Sequence, residues 1–573
     1  MVAGYLAITL GIGIWVSRRA GRSSAEFFLS SRSMPWWMLG VSMVATTFST
    51  DTPNLVTDIT RTGGVGANWV WWSFLLTGML TVFVYAALWR RSGVATDLEF
   101  YELRYSGRPA AFLRAFRAIY LGVFFNVMIM ATVTLAAIKI GGVLFALSPV
   151  QTISVAATIT VLFSAAGGFR GVVLTDLLLF VVALAGAVSA AVVAVRHPAV
   201  GGLEGLFAHP AVVDRMALVP DLGDPNIAIP FFLIPLAVQW WASWYPGSEP
   251  GGGGYVAQRM LAARSERHAV AATLLFNVAH YALRPWPWIL VALASLVVFP
   301  DVTSLRAAFP HVDPQVVRDD LAYPAMLTFL PSGLLGLVVA SLAAAYMSTL
   351  STHLNWGASY VVHDVYRRFW RPDASERDLV RLGRLTTVGL MVLTALLALK
   401  LENALQAFQI LLQIGAGTGL LFLLRWFWWR INAWSELSAM LISFAVAVAF
   451  LWKSSGLEPW QELSIGVAVT TVGWMVVTLA TPPTSTTTLE RFYRTVAPAG
   501  PGWRRFHRDD SRPGGLSRGL AAMVTGSVAV YGVLFATGYV LYGRWIAAIV
   551  AAAVAAGAIA RLVALWARER GSQ

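Results

Sequence analysis

Residues 36–62 read WWMLGVSMVATTFSTDTPNLVTDITRT. The stretch is long enough to cross a bilayer, for which about 17 to 20 apolar residues suffice. Yet its middle carries Thr46, Thr47, Ser49, Thr50, Asp51, Thr52, Pro53 and Asn54. Hydrocarbon offers these groups no partners, so the sequence predicts a helix that is broken or faces a polar cavity. Pro53 has no amide hydrogen and frees the carbonyl near Ser49. Freed carbonyls and hydroxyls are hard oxygen ligands suited to a small cation. The competing reading is a polar patch that only joins neighbouring helices.

Composition widens this reading to the whole chain. Hydrophobic residues make up 57% and charged residues 12%, and the mean hydropathy is +0.66. A soluble domain carries about 25% charged residues, so the expected fold is an all-α polytopic membrane protein. Fifteen apolar segments read as spans: 1–17, 36–60, 68–89, 118–147, 150–168, 172–195, 227–247, 269–300, 333–363, 383–400, 403–424, 434–453, 462–480, 519–540 and 543–564. The first lacks a basic lead and a small-residue cleavage site, so it reads as a span and not as a signal peptide. With no cysteine, disulfides, thiolate metal sites and thiol catalysis are excluded.

The net charge of +13 is orientation charge. Arg18, Arg19, Arg22, Arg90, Arg91, Arg104, Arg259, Arg264, Arg367, Arg368 and the arginines of 491–518 fall on one side of the bilayer. This requires the N-terminus outside and the C-terminus in the cytoplasm. The opposite connections, 196–226 and 301–332, hold Asp214, Asp221, Asp224, Asp301, Asp313, Asp319 and Asp320. Lipid bilayer is therefore the expected partner, and nucleic acid is not. Gly251–Gly254 lack a following GK[ST] and read as a bend, so no nucleotide site is expected. Energy for transport must come from an ion gradient.

Several polar residues sit at membrane depth. In 340–364, Ala345, Ser348, Thr349 and Thr352 share one helix face at i, i+3 and i+4 spacing. That face is small first, then hydroxyl; the alternative is hydroxyls bonding back to their own helix. Asp176 begins a span and could draw a cation or pair with Arg170. In QWWASWYPG at 239–247, Gln239 supplies an amide. Trp240, Trp241, Trp244 and Tyr245 supply flat rings, which suit sugar faces or membrane anchoring. Trp69 and Trp72 raise the same choice. Gln409 and Gln413 share a face that could line the same cavity, and Asn126 is an isolated mid-span amide. His280 and His353 have no ligand spacing around them and read as packed or hydrogen-bonded, so no metal beyond sodium is expected.

Taken together, EFFLSSRSMPWWMLGV at 26–41, GGFRGVVLTD at 167–176, VAQRMLAARSE at 256–266, LAAAYMSTLSTHLN at 342–355 and HDVYRRF at 363–369 resemble the sodium:solute symporters. That family includes the sodium/proline and sodium/glucose cotransporters, and the likeness runs to about residue 480. It implies a five-helix inverted-repeat (LeuT-like) core with about fifteen transmembrane helices. The repeats map to 36–195 and 227–424, with 1–17 as an extra leading helix, 434–480 as peripheral helices, 481–518 as a cytoplasmic linker and 519–564 as two C-terminal helices. Carried over residue by residue, the family's sodium site becomes the carbonyls of Ala45, Phe48 and Ala345 and the hydroxyls of Ser348 and Thr349, with Asp176 on the cytoplasmic side. Ser49, Thr50, Asp51, Asn54, Trp69, Trp72, Asn126, Gln239, Trp240, Trp241, Gln409 and Gln413 are the candidates for the solute cavity, and Tyr255 for an inner gate. Leu179 departs from the family's glutamine, and EPGGGGY at 249–255 departs from its Asn-Gln or Gly-Gln-Pro element; both bear on substrate more than on sodium.

The expected function is sodium-coupled symport of a small polar organic solute across the inner (cytoplasmic) membrane. Sodium is the coupling ion; neither an organic cofactor nor enzymatic activity is expected. A sugar or polyol stands ahead of an amino acid or small carboxylate, and a solute sensor without transport is the rival of a different class.

Overall fold

The computed structural model describes residues 24–242, 249–401, 409, 411–415, 417–452, 455–506 and 515–571, with isolated positions before residue 24. Among these residues, ten helices are long and apolar enough to cross a membrane, against fifteen read from the sequence. The difference has three sources. The leading segment 1–17 and most of 403–424 lie outside the described residues. Two segments, 36–60 and 227–247, are broken. One pair, 150–168 and 172–195, is a single bent helix.

The elements used below are α1 (Ser24–Leu29), α2 (Trp36–Thr46), α3 (Asp51–Gly63), α4 (Val65–Ser92), α5 (Gly107–Phe145), α6 (Pro149–Val195), α7 (Pro225–Ala237), α8 (Gly254–Ala262), α9 (Glu266–Val298), α10 (Ser332–Trp370) and α11 (Glu376–Ala398). They are followed by α12 (Ala433–Trp452), α13 (Pro459–Ala480), α14 (Thr486–Val496), α15 (Gly515–Leu541) and α16 (Trp545–Gly571). Their starts follow local sequence. Ser148 and Gln151 form a capping box on α6 with Pro149 at its first position, and Glu458 with Gln461 does the same for α13. Both arrangements satisfy amides that a helix start leaves open.

A straight helix of 47 residues would run about 70 Å, twice the hydrocarbon thickness. α6 bends instead. Ser164 Oγ donates to the carbonyl of Ser351 at 3.4 Å, while Asp176 accepts from Ser348. Ser348 and Ser351 are one turn apart on α10, whereas residues 164 to 176 of a straight helix span about 18 Å. Both ends of α6 reach the same face. Thr152 packs on Gly141, His311 reaches the Gly142 carbonyl, and the His197 and Phe329 rings lie 4.5 Å apart. Residues 311 and 329 belong to one connection, 299–331.

The basic connections meet on the other face. Arg32 donates to the carbonyls of Gly93 and Val94, Arg90 to Ala263, and Arg368 pairs with Glu102 at 2.8 Å. Deeper on this side, Arg117 pairs with Glu249, and Arg425 lies 3.7 Å from Glu249 and 3.5 Å from Glu436. The Gly251–Gly254 turn packs here. Gly251 and Gly252 take φ of 83° and 87°, and a Cβ on Gly251 would stand 3.0 Å from the Tyr85 ring, so glycine is required on both counts.

On the opposite face two neighbouring acids grip two helices. Asp319 accepts from Arg61 of α3 at 2.8 Å, and Arg61 also donates to Ser295 Oγ and the Phe299 carbonyl. Asp320 pairs with Lys139 of α5 at 2.8 and 2.6 Å, with both side chains fully buried. α15 packs across the outside of α4 and α9, where Tyr531 donates to the Trp72 carbonyl and Trp286 to that of Leu534.

Candidate functional site

The centre of the site is the gap between α2 and α3. α2 ends at Thr46, and helix resumes at Asp51 with Pro53 in its first turn, where a missing amide hydrogen costs nothing. At the frayed end the Phe48 amide donates to the Ala45 carbonyl at 2.9 Å. Thr349 Oγ1, fully buried on α10, donates to the Thr46 carbonyl at 2.7 Å. Ala345 lies one turn earlier on α10 and is 1% exposed.

Asp176 joins the same cluster. Its two carboxylate oxygens accept from Ser348 Oγ and Ser42 Oγ, each at 2.5 Å. The Arg259 guanidinium stands 3.9 Å away and donates to Ser42 Oγ, Thr46 Oγ1 and Thr352 Oγ1 at 3.2, 3.3 and 2.9 Å. The sequence offered Arg170 as a partner for Asp176; Arg170 instead faces Glu26 at 3.9 Å, since six residues along one helical arm put the two on different faces. Hydroxyls, one carboxylate and the carbonyls of a frayed helix end make an all-oxygen donor set, which fits a hard monovalent cation.

Two cavities of similar size open on the two faces. On the basic face a cavity of about 720 Å³ is lined by Phe28, Asp97, Gln258, Trp356 and Tyr360 among others. Gln258 Nε2 donates to Asn355 Oδ1, less than two turns of α10 from Thr349 and Thr352. Asp97 hangs over this vestibule between spans. It accepts from the Tyr360 hydroxyl and from the Gly254 amide, and burial pushes its carboxyl up to about 6. On the other face a cavity of about 760 Å³ is lined by Gln239, Gln409, Gln413, Thr62 and Glu462. A smaller cavity of about 40 Å³ is lined by Thr47, Asn277 and His280 among others, room for a few water molecules.

The structure brings some expected solute residues together and not others. Gln239, Gln409 and Gln413 share the cavity on the face away from the basic connections; Gln413 donates to Glu462 Oε2 at 2.9 Å. Asp51 and Asn54 open α3 at the break, and Asn54 is fully buried. Thr50 Oγ1 donates to the Val133 carbonyl, and Ser49 is buried beside it. Trp240 and Trp241 pack on each other at 5.7 Å, with Gln239 donating to the Val70 carbonyl; Trp244 and Tyr245 lie outside the described residues. Trp69 and Trp72 do not reach either vestibule. Trp69 donates to the Leu218 carbonyl and packs on Tyr531, and both rings face Phe535 of α15. Asn126 is taken up by His353, with bonds to its carbonyl and its ring nitrogen at 2.8 and 2.5 Å, and so clasps α5 to α10. Tyr255 is fully buried between the His353 ring and the Arg259 guanidinium.

Two arginines differ from their sequence reading. Arg259 of the VAQRM motif counts among the orientation charges in the sequence, yet the structure buries it fully against Ser42, Thr46 and Thr352, and Arg284 was not singled out. Arg284 stands in HYALRPWPW, a lone cation in an apolar run, and that rarity at membrane depth is the signal that marks it.

A family model for the sodium:solute symporter family matches residues 27–443. The sodium/glucose cotransporter of Vibrio parahaemolyticus is 26% identical over 466 residues, covering 78% of this chain and 84% of its own. The sodium/mannose cotransporter SLC5A10 of Bos taurus is 28% identical over 418 residues, covering 68% and 67%. The sodium/myo-inositol cotransporter 2 of Oryctolagus cuniculus is 25% identical over 475 residues, covering 77% and 68%. Among solved structures, a sodium-coupled sialic acid symporter in its substrate-bound outward-open state superposes with a TM-score of 0.66 at 21% identity, over 84% of this chain and 97% of that one. This likeness is one of fold.

Proposed function

This chain belongs to the sodium:solute symporter family, and from that premise we propose that it couples sodium entry to uptake of a small polyhydroxylated solute, a sugar or polyol. Sodium sits between the carbonyls of Ala45, Phe48 and Ala345 and the hydroxyls of Ser348 and Thr349, with Asp176 behind them. The solute enters past Gln239, Gln409 and Gln413 and settles at the α2–α3 break beside Asp51 and Asn54. The chain lies in the inner membrane with its basic face in the cytoplasm, its N-terminus outside and its C-terminus inside, an orientation the arginine distribution supports.

The observation that carries this reading is the meeting of Ser348, Thr349 and Asp176 at the frayed end of α2. Coupling follows from position. A cation held by carbonyls of the break fixes the backbone that also forms the solute site, so each ligand tightens the other. Cavities on both faces support alternating access. The sugar and inositol cotransporters among the relatives support the substrate class.

The test is uptake by proteoliposomes of labelled glucose, galactose and myo-inositol, driven by a sodium gradient and by a matched potassium gradient. Accumulation that requires sodium supports the proposal. Equal entry under both gradients, or no entry of any of the three, counts against it.

A further inference from the structure

We propose that Asp97 and Glu249 are positioning residues of the inner gate: they pin the two ends of the Gly251–Gly254 turn and so hold α8 as a wall between the α2–α3 break and the cavity on the basic face. This rests on the symport reading above, in which that wall opens once per cycle.

α8 separates two spaces. Val256 lines the small chamber of about 40 Å³ together with Thr47, at the edge of the break. Gln258 lines the cavity of about 720 Å³ on the basic face together with Asp97 and Tyr360. Residues two apart on a helix point about 200° away from each other. The two spaces therefore lie on opposite sides of one short helix, and a shift of α8 joins them.

A buried carboxylate holds each end of the turn that carries α8. Upstream, Glu249 is 2% exposed, pairs with Arg117 of α5 and stands 3.7 Å from Arg425. A Cβ on Gly253 would stand 2.8 Å from Glu249 Oε2, so the carboxylate folds over the turn itself. Downstream, Asp97 accepts from the Gly254 amide at 2.8 Å and, with its other oxygen, from the Tyr360 hydroxyl of α10. Four consecutive glycines bring no side chains of their own to the packing, so these carboxylates orient the turn. Asp97 borders the basic-face cavity and Glu249 the small chamber. Water can take the place of their donors as the wall moves, which makes the pins reversible.

The wall also senses the ion. Arg259 of α8 donates to the hydroxyls of Ser42, Thr46 and Thr352, and Ser42 in turn donates to Asp176. A movement of α8 therefore pulls on the cluster around Asp176, and a change in that cluster pulls on α8.

The chain has no cysteine, so one introduced thiol reports one place. Thr77→Cys puts it in the small chamber, behind the wall. The assay is its rate of reaction with a membrane-impermeant methanethiosulfonate in proteoliposomes of the full chain. The reagent is applied from the basic face and, separately, from the opposite face, in sodium and in potassium. Asp97→Ala or Glu249→Gln should raise the rate from the basic face by about tenfold or more. Tyr360→Phe, which removes one donor to Asp97 and little bulk, should raise it several-fold. Thr394→Cys, fully buried on α11, should stay unreactive in the same variants, and Thr495→Cys, exposed on α14, should keep its rate. Thr77→Cys rates unchanged in all three variants, a rise from the opposite face alone, or an equal rise at Thr394→Cys would overturn the assignment. Rates that follow the pins but not the cation support the gate and count against the symport reading. Rates that follow the cation but not the pins defeat the gate assignment alone.

Discussion

Replacing Thr349 by valine keeps the side-chain shape and removes one oxygen. In the structure that oxygen is fully buried and donates to the Thr46 carbonyl at 2.7 Å. Losing the donor leaves a buried carbonyl unsatisfied, a penalty of about 1–3 kcal/mol. If the hydroxyl is also one of the oxygens around sodium, the same range falls on ion affinity, or roughly 5- to 150-fold in the sodium midpoint. The assay is a sodium titration of the melting temperature at constant ionic strength, with potassium as balance. Thr387→Val is the control, since among the described residues Thr387 Oγ1 bonds only back to the Gly383 carbonyl of its own helix; it should leave the midpoint unchanged. Ser348→Ala combined with Thr349→Ala also strips Asp176 of a donor and should abolish sodium-stimulated uptake. A sodium curve for Thr349→Val, or for the double variant, that overlays the wild type would refute the assigned site.

Three further outcomes follow from the geometry. Lys139→Met leaves Asp320 charged and buried, and should lower unfolding stability by about 3–5 kcal/mol; adding Asp320→Leu should recover most of it in the same denaturation assay. Asn126→Leu opens the clasp on His353 and should cost about 1–3 kcal/mol, read as a lower melting temperature with an unchanged sodium midpoint. The Asp97 carboxyl is raised to about 6 by burial, so folding disfavours its ionised form. Its contribution is complete below about pH 4, is lost as the pH rises towards 6, and is flat above; Asp97→Asn should remove that slope from a plot of melting temperature against pH.

The break at Thr47–Thr50 was legible because proline, an acid and hydroxyls do not belong together in a lipid-facing helix. The Ala345–Ser348–Thr349 face was legible because helical spacing alone puts those residues in line. The bend of α6 was not, since apolar residues on both sides give no sign of where one arm ends. Asn126 and His353 are 227 positions apart, and nothing local in either segment announces the other. Trp69 and Trp72 left the choice open for a chemical reason: an indole serves a sugar face, a lipid headgroup or a helix contact equally well. Arg284 was hidden by the apolar sequence that surrounds it, although that setting is what makes it informative, whereas Arg259 was hidden by the arginines that follow it, which made it read as orientation charge.

Asp319 and Asp320 are adjacent in the chain, yet each holds a different helix. A movement that parted α3 from α5 here would have to let go of one of them. Lys139–Asp320 has no exposed atoms, so water cannot take over as it parts. The Asp319 side chain is 27% exposed, and solvent can replace Arg61 there at once. The seam therefore runs between the connecting segment and α3, and the segment rides with α5 like a hatch fixed to one jamb.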